Sequence, residues 1–82
     1  MQVTLLFFAA ARDATGRSKV AVELPANVTH VDKLLEWLSG EYSALVPYLD
    51  SLRIARNEEF VDGKAAIEAG DVLAVIPPVA GG

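Results

Sequence analysis

The 82-residue sequence contains no cysteine. Disulfide bonds, zinc knuckles, iron–sulfur ligation and a catalytic thiol are therefore excluded together. Histidine occurs once, at His30, where we expect it to lie exposed at the start of a helix, without partners for a catalytic triad. The acidic residues show no spacing typical of a metal-binding loop. We therefore expect no bound metal, no bound cofactor and no catalytic side chain.

Basic residues are also scarce. Seven Lys and Arg stand against eleven Asp and Glu, which gives a formal net charge of −4, and the sequence has no basic run. Proteins that bind nucleic acid or anionic lipid usually carry such a run or patch. We therefore expect proteins or small molecules as partners, with no nucleic acid and no membrane.

Long apolar runs are missing too. The longest run, residues 5–11, is far shorter than the roughly 20 residues needed to span a bilayer. It could mimic the core of a signal peptide, but residues 1–4 carry no positively charged side chain. We expect no signal peptide and a cytoplasmic location.

What remains is the composition of one small globular domain, 52% hydrophobic and 22% charged. Two segments, residues 3–8 and 72–76, are almost uniformly apolar and predict central strands buried on both faces. Residues 19–24 alternate with a period of two up to Pro25, so they predict a more polar strand that pairs with the first.

The middle of the chain changes period. Apolar residues at i, i+3, i+4 and i+7 predict an amphipathic helix between Thr29 and Tyr42, with Thr29 and Asp32 as a capping pair. A short helical turn is expected at residues 9–14 because alanine has the highest helix propensity. Residues 52–57 alternate again and predict a strand, followed by a turn at Glu58-Glu59 and a return through Phe60-Val61.

This order of elements predicts a two-layer α+β domain, in which a mixed sheet packs on one main helix. Pairing the first and last strands at the centre would bury both, and the polar strands would then form the edges. We assign residues 1–76 to this domain and residues 77–82 to an extended C-terminal tail.

The tail is the most informative segment. It leaves an apolar strand through Pro77-Pro78, which favours extended backbone, and it ends in Gly81-Gly82. A segment so thin can enter a narrow channel, where glycine permits close approach of another backbone. Its only reactive group is the carboxylate of Gly82.

Taken together, these residues resemble the ubiquitin-like β-grasp sulfur carriers, and among them the small subunits of molybdopterin synthase. The resemblance covers the whole chain, and its most specific part is Gly70-Asp71-Val72 leading to Ile76-Pro77-Pro78-Val79-Ala80-Gly81-Gly82. Weaker matches are Phe7-Phe8-Ala9 followed by Arg12, the helical residues 31–35, and Asn57.

The resemblance implies a sulfur-donating subunit without catalytic side chains of its own. An ATP-dependent, E1-like activating enzyme would adenylate the Gly82 carboxylate, and a sulfur donor would replace the adenylate to give a thiocarboxylate. The tail, through Val79, Ala80 and Gly81, would then enter the large synthase subunit in an expected heterotetramer. There the sulfur would pass to a cyclic pyranopterin precursor in molybdenum cofactor biosynthesis.

Several alternatives stay open. Related carriers that serve thiamine synthesis, tRNA thiolation or cysteine synthesis share the Gly-Gly ending, and so do ubiquitin-like protein modifiers. A plain interaction domain with an incidental Gly-Gly is a further possibility. We expect Phe8, Pro77 and Pro78 to form a partner surface beside the tail, although Phe8 could instead face the core.

Overall fold

The computed structural model describes residues 1–78. Within that range a five-stranded mixed sheet is combined with helical segments, which confirms the predicted α+β class. The elements are β1 (Gln2–Phe7), α1 (Ala9–Thr15), β2 (Lys19–Glu23), α2 (Val31–Glu41), a 3₁₀ segment (Ser43–Ser51), β3 (Arg53–Arg56), β4 (Glu59–Val61) and β5 (Val72–Ile76).

The strand order is β2-β1-β5-β3-β4. The first and last strands lie side by side and run parallel, with Leu5 opposite Leu73 and Phe7 opposite Val75. The neighbouring pairs β1–β2, β3–β5 and β3–β4 are antiparallel. The prediction that the two most apolar strands occupy the centre and the more polar strands the edges is therefore confirmed.

One face of this sheet forms the core with α2. Leu5 and Leu73 from the sheet, and Leu34 and Leu38 from the helix, have no exposed surface. Because successive strand residues point to opposite faces, burial of Leu5 and Phe7 directs Leu6 to the other side of the sheet. Burying one such leucine contributes about 1.5–3 kcal/mol, so this core is the main source of stability.

The start of α2 differs from the prediction. The N-cap is His30, and no side chain caps the helix, so the expected Thr29–Asp32 capping pair is wrong. Backbone carbonyls of the loop before β5 take its place: Gly63 O accepts the Asp32 N–H at 2.9 Å, and Ala65 O accepts the Val31 N–H at 3.0 Å. A distant loop thus satisfies donors that a local side chain was expected to satisfy.

The segment between α2 and β3 was not predicted to be helical. Residues Ser43–Ser51 form a long 3₁₀ stretch that buries Leu45 and includes Pro47. Just before it, Tyr42 packs edge to face on Phe7, with ring centroids 5.3 Å apart. This stretch packs against both α1 and α2 and adds Leu45 to the core.

No helix among residues 1–78 is long and apolar enough to cross a membrane, and no cluster of potential metal ligands occurs in that range. β5 ends at Ile76, and the boundary between domain and tail stays a prediction. The predicted tail beyond Pro78, which comprises Val79, Ala80, Gly81 and Gly82, lies outside the described residues.

Candidate functional site

The side of the sheet opposite α2 carries a continuous apolar surface. The register places Leu6 opposite Ala74, Ala74 opposite Ala55, and Ala55 opposite Phe60, so these side chains form one row across four strands. We call this surface the outer face, and its members are Leu6, Phe8, Ala55, Phe60, Val72, Ala74 and Ile76, which line a concavity of about 550 Å³.

The large side chains of the outer face are accessible to solvent. Phe60 is 57% exposed, Phe8 46% and Val72 37%. The small side chains of Ala55 and Ala74 lie buried at the centre, between the flanking aromatic rings. The prediction that the central strands are buried on both faces is therefore wrong for this side, because all the packed helices lie on the other one. An apolar surface of this kind is typical of a binding site for another protein.

The outer face lies beside the point where the chain leaves the sheet. Phe8 donates its backbone N–H to Val75 O at 3.2 Å, and this bond holds Phe8 against the last residues of β5. Of the predicted partner surface, Phe8 and Pro78 are exposed, and Phe8 does not face the core. Pro77 is buried because it continues the inward positions of Leu73 and Val75, which corrects its assignment to that surface.

The four predicted tail residues, Val79, Ala80, Gly81 and Gly82, lie outside the described residues, so their roles stay predictions. His30 lies at the start of α2 and forms an isolated antiparallel β-bridge with Ala66. Its Nδ1 lies 3.2 Å from the Thr29 hydroxyl. It therefore lies at the helix cap and not at the outer face.

The opposite end of the outer face is held by a polar contact between two loops. Asn57 donates from Nδ2 to the Asp71 carboxylate at 3.0 Å, and its Oδ1 accepts the Val72 N–H at 2.9 Å. Asp71, only 9% exposed, also accepts the Glu68 N–H at 2.8 Å. These bonds tie the β3–β4 turn to the start of β5 and hold that end of the concavity in shape.

The turn itself falls one residue earlier than predicted. Asn57 and Glu58 occupy it, with φ angles of 51° and 74°, while Glu59 is already in β4. Asparagine tolerates positive φ better than other non-glycine residues, which explains why a turn begins there. The sequence signal for this turn is the asparagine that follows an alternating strand.

A cation flanks the aromatic edge of the outer face. The Arg53 guanidinium lies over the Phe60 ring, 4.5 Å from its centroid. This contact orients the exposed ring and places a positive charge next to it. The arrangement suits binding of a protein surface.

The chain is similar to known proteins over its whole length. The molybdopterin synthase sulfur carrier subunit of Drosophila yakuba is 38% identical over 85 aligned residues, which cover 100% of this chain and 92% of that protein. SAMP1 of Haloferax volcanii, the small archaeal modifier protein 1, is 30% identical with a TM-score of 0.82, and the alignment covers 100% of both chains.

A third similar structure comes from the complex of subunits 1 and 2 of the molybdopterin-converting factor from Helicobacter pylori. It is 25% identical, with a TM-score of 0.69 and coverage of 100% of both chains. These structures confirm the predicted ubiquitin-like β-grasp fold. Since a match to the ThiS family extends over residues 5–82, from the first strand to the Gly-Gly ending, the chain belongs to that family.

Proposed function

We propose that this chain is the sulfur-carrier subunit of a molybdopterin synthase and that the carboxylate of Gly82 carries the sulfur. The observation that carries the proposal is the full-length similarity to relatives named molybdopterin synthase sulfur carrier subunit, at 38% identity in Drosophila yakuba and 33% in Chlamydomonas reinhardtii. The Gly81-Gly82 ending and the absence of cysteine agree with it.

The chemistry requires activation because a carboxylate is a poor electrophile. One carboxylate oxygen of Gly82 attacks the α-phosphate of ATP on an activating enzyme, and pyrophosphate leaves. A donor of sulfur at the oxidation level of sulfide then displaces AMP and leaves a thiocarboxylate. This group is a sulfur nucleophile, so the carrier needs no cysteine of its own.

The large subunit completes the reaction. The tail enters its active site, where the thiocarboxylate sulfur displaces an oxygen substituent from a carbon of a cyclic pyranopterin precursor of the molybdenum cofactor. Water then cleaves the bond between this sulfur and the Gly82 carbonyl, which restores the carboxylate. Docking of the outer face, with Phe8 and Pro78 next to the tail, positions the tail for this step. The similarity to a chain from the complex of subunits 1 and 2 of the Helicobacter pylori factor supports a large-subunit partner, and we propose a heterotetramer.

Mass spectrometry tests the proposal directly. The chain is produced together with its activating enzyme, and the expected product is the intact chain with one oxygen replaced by sulfur. A control with one residue added after Gly82 should gain no sulfur, because the added residue blocks the reacting carboxylate. Sulfur on the extended chain, or none on the natural one, would overturn the assignment.

A protein modifier is the second candidate, favoured by the TM-score of 0.82 to a protein named a small archaeal modifier. In that case the activated Gly82 forms isopeptide bonds with lysines, and a ladder of conjugates replaces the sulfur-bearing chain. Carriers for thiamine, tRNA thiolation or cysteine synthesis would also gain sulfur. They differ in the acceptor, so only a molybdopterin carrier yields product with a large synthase subunit and the cyclic precursor.

A further inference from the structure

Charged residues on the outward side of the sheet are divided by sign along the strand direction. Lys19 is paired with Leu6 across β1 and β2, and Arg53 is paired with Ile76 across β3 and β5. Both cations therefore lie at the end of the sheet from which the tail leaves. Glu23 lies level with Gln2 at the opposite end, where Glu58 also lines the concavity. The charges around the outer face are therefore basic at the end of the sheet near the tail and acidic at the opposite end.

Three of these charges have no counter-ion within the described part of the chain. The ion pairs found in residues 1–78 join the amino terminus to Glu23 at 2.8 Å and Lys33 to Glu36 at 3.6 Å. Lys19, Arg53 and Glu58 take part in neither, and all three are exposed. Covering the outer face with a purely apolar partner surface would strip water from these groups without replacing it, which is costly.

We propose that the large synthase subunit meets this face with the opposite charge pattern: carboxylates opposite Lys19 and Arg53, and a basic side chain opposite Glu58. The inference rests on the proposed function, which supplies the partner. The apolar concavity contributes most of the buried area. The charge division selects one of the two orientations along the strands, because the reversed one would place like charges together.

The placement of the charges explains why orientation matters. The tail leaves beside Phe8, at the basic end, so the correct orientation brings the tail toward the partner's active site, and the reversed one directs it away. A second copy of this chain is a poor occupant, since two chains of net charge −4 repel each other. A large subunit with acidic groups beside its tail channel has no such penalty.

Matched charge reversals test the proposal. Lys19→Glu is compared with Lys64→Glu, since both are exposed lysines outside the ion pairs found in residues 1–78 and both reversals change the net charge equally. Affinity for the large subunit is measured by calorimetry over a range of salt concentrations. We expect Lys19→Glu to weaken binding about tenfold or more at low salt, and Lys64→Glu to change it less than about twofold.

The acidic end of the sheet has its own pair. Glu58→Lys should weaken binding by a similar factor, while Glu41→Lys, on an exposed position of α2, should not. Equal losses of affinity from both members of a pair would mean that only the net charge of the chain affects binding. Tighter binding of Lys19→Glu would mean that the partner surface opposite Lys19 is basic. Either result overturns the proposal, as does a dimer of the free chain that Lys19→Glu dissociates in sedimentation experiments.

Failure of this inference can be told apart from failure of the proposed function. Suppose that the natural chain gains and transfers sulfur, and that Lys19→Glu and Lys64→Glu bind and transfer equally. The carrier function is then supported, and the proposed charge pattern is contradicted. If the natural chain binds with the expected charge dependence but never gains sulfur, the pattern stands and the carrier function falls. If the natural chain does not bind the large subunit, both fall.

Discussion

At the residue scale, Asn57 combines a backbone requirement with side-chain hydrogen bonds. It adopts φ 51° and bonds through its amide to Asp71 and to the Val72 N–H. Asn57→Gly keeps the backbone conformation and loses the amide, so we expect a loss of about 1–2 kcal/mol in the free energy of unfolding. Asn57→Ala should cost roughly 1 kcal/mol more, because alanine resists positive φ.

Urea unfolding measures both losses. Asn27→Ala serves as the control, since Asn27 is an exposed turn residue without positive φ, and its effect should stay within about 0.5 kcal/mol. Equal stability of the glycine and alanine variants would show that the backbone conformation at this position contributes nothing.

At Gly81 the lack of a side chain is expected to matter. A β-carbon beside the reacting carbonyl would obstruct a channel shaped for bare backbone, so Gly81→Ala should slow sulfur loading and transfer more than it weakens docking. Single-turnover rates and binding affinities for the large subunit are compared. Gly40→Ala is the control, because an added β-carbon there meets no atom within 4 Å. Parallel losses in rate and affinity for Gly81→Ala would contradict the expectation.

At the scale of elements, two adjacent residues of β1 have different roles: one stabilises the core and the other contributes to the proposed docking surface. Leu5 has no exposed surface in the core, whereas Leu6 lies on the outer face and is only half-buried. Leu5→Ala should lower the free energy of unfolding by about 2–5 kcal/mol. Leu6→Ala should cost about 1 kcal/mol and weaken binding to the large subunit, because it removes part of the docking surface.

Thermal or urea unfolding gives the first quantity for both leucine variants, and calorimetry with the large subunit gives the second for Leu6→Ala. A Leu6→Ala variant that binds as tightly as the natural chain would remove the outer face from the docking surface.

The junction between the loop before β5 and α2 provides another test on this scale. A β-carbon built on Gly63 would overlap the Asp32 carboxylate, while the Gly63 carbonyl caps the helix. Gly63→Ala should therefore destabilise the fold by no more than about 1 kcal/mol, since the exposed Asp32 side chain must turn away from its present rotamer. In the Asp32→Ala background the same change should cost clearly less, because the overlapping group is gone. A double-mutant cycle measures the difference, and strict additivity would show that the two residues do not collide.

At the scale of the whole molecule, the proposed function requires one surface and one tail to serve two enzymes in turn. The large subunit and the activating enzyme each need Gly82 in their own active site, so we expect binding of one to exclude the other. Saturating large subunit should displace the activating enzyme in a competition experiment. A stable ternary complex would rule out shared use of the outer face.

Much of the architecture could be predicted from local patterns. The spacing of Val31, Leu34 and Leu38 predicted α2 to within a few residues, because a helix must place one apolar stripe against the sheet. The apolar character of β1 and β5 predicted their central pairing, because a central strand excludes water more completely than an edge strand. The Gly-Gly ending favours a role for the tail, and that role stays a prediction because residues 79–82 lie outside the described range.

Other features depended on contacts between distant segments. The cap of α2 comes from Gly63 and Ala65, so no local motif marks it. The 3₁₀ segment takes its conformation around the burial of Leu45 and not from a periodic pattern. The bonds from Asn57 to Asp71 and Val72 could not be predicted, because these residues approach one another only when β3 pairs with β5.

The sequence by itself determined the α+β class, the central strands and the main helix, because these follow from periodicity within a few residues. Only the tertiary structure decided that Leu6, Phe8 and Phe60 share an exposed face with Lys19 and Arg53 at its tail-side end. A uniformly apolar strand has the same sequence pattern whether one or both of its faces are covered. Which face stays exposed depends on where the helices pack, and that is a property of the whole chain.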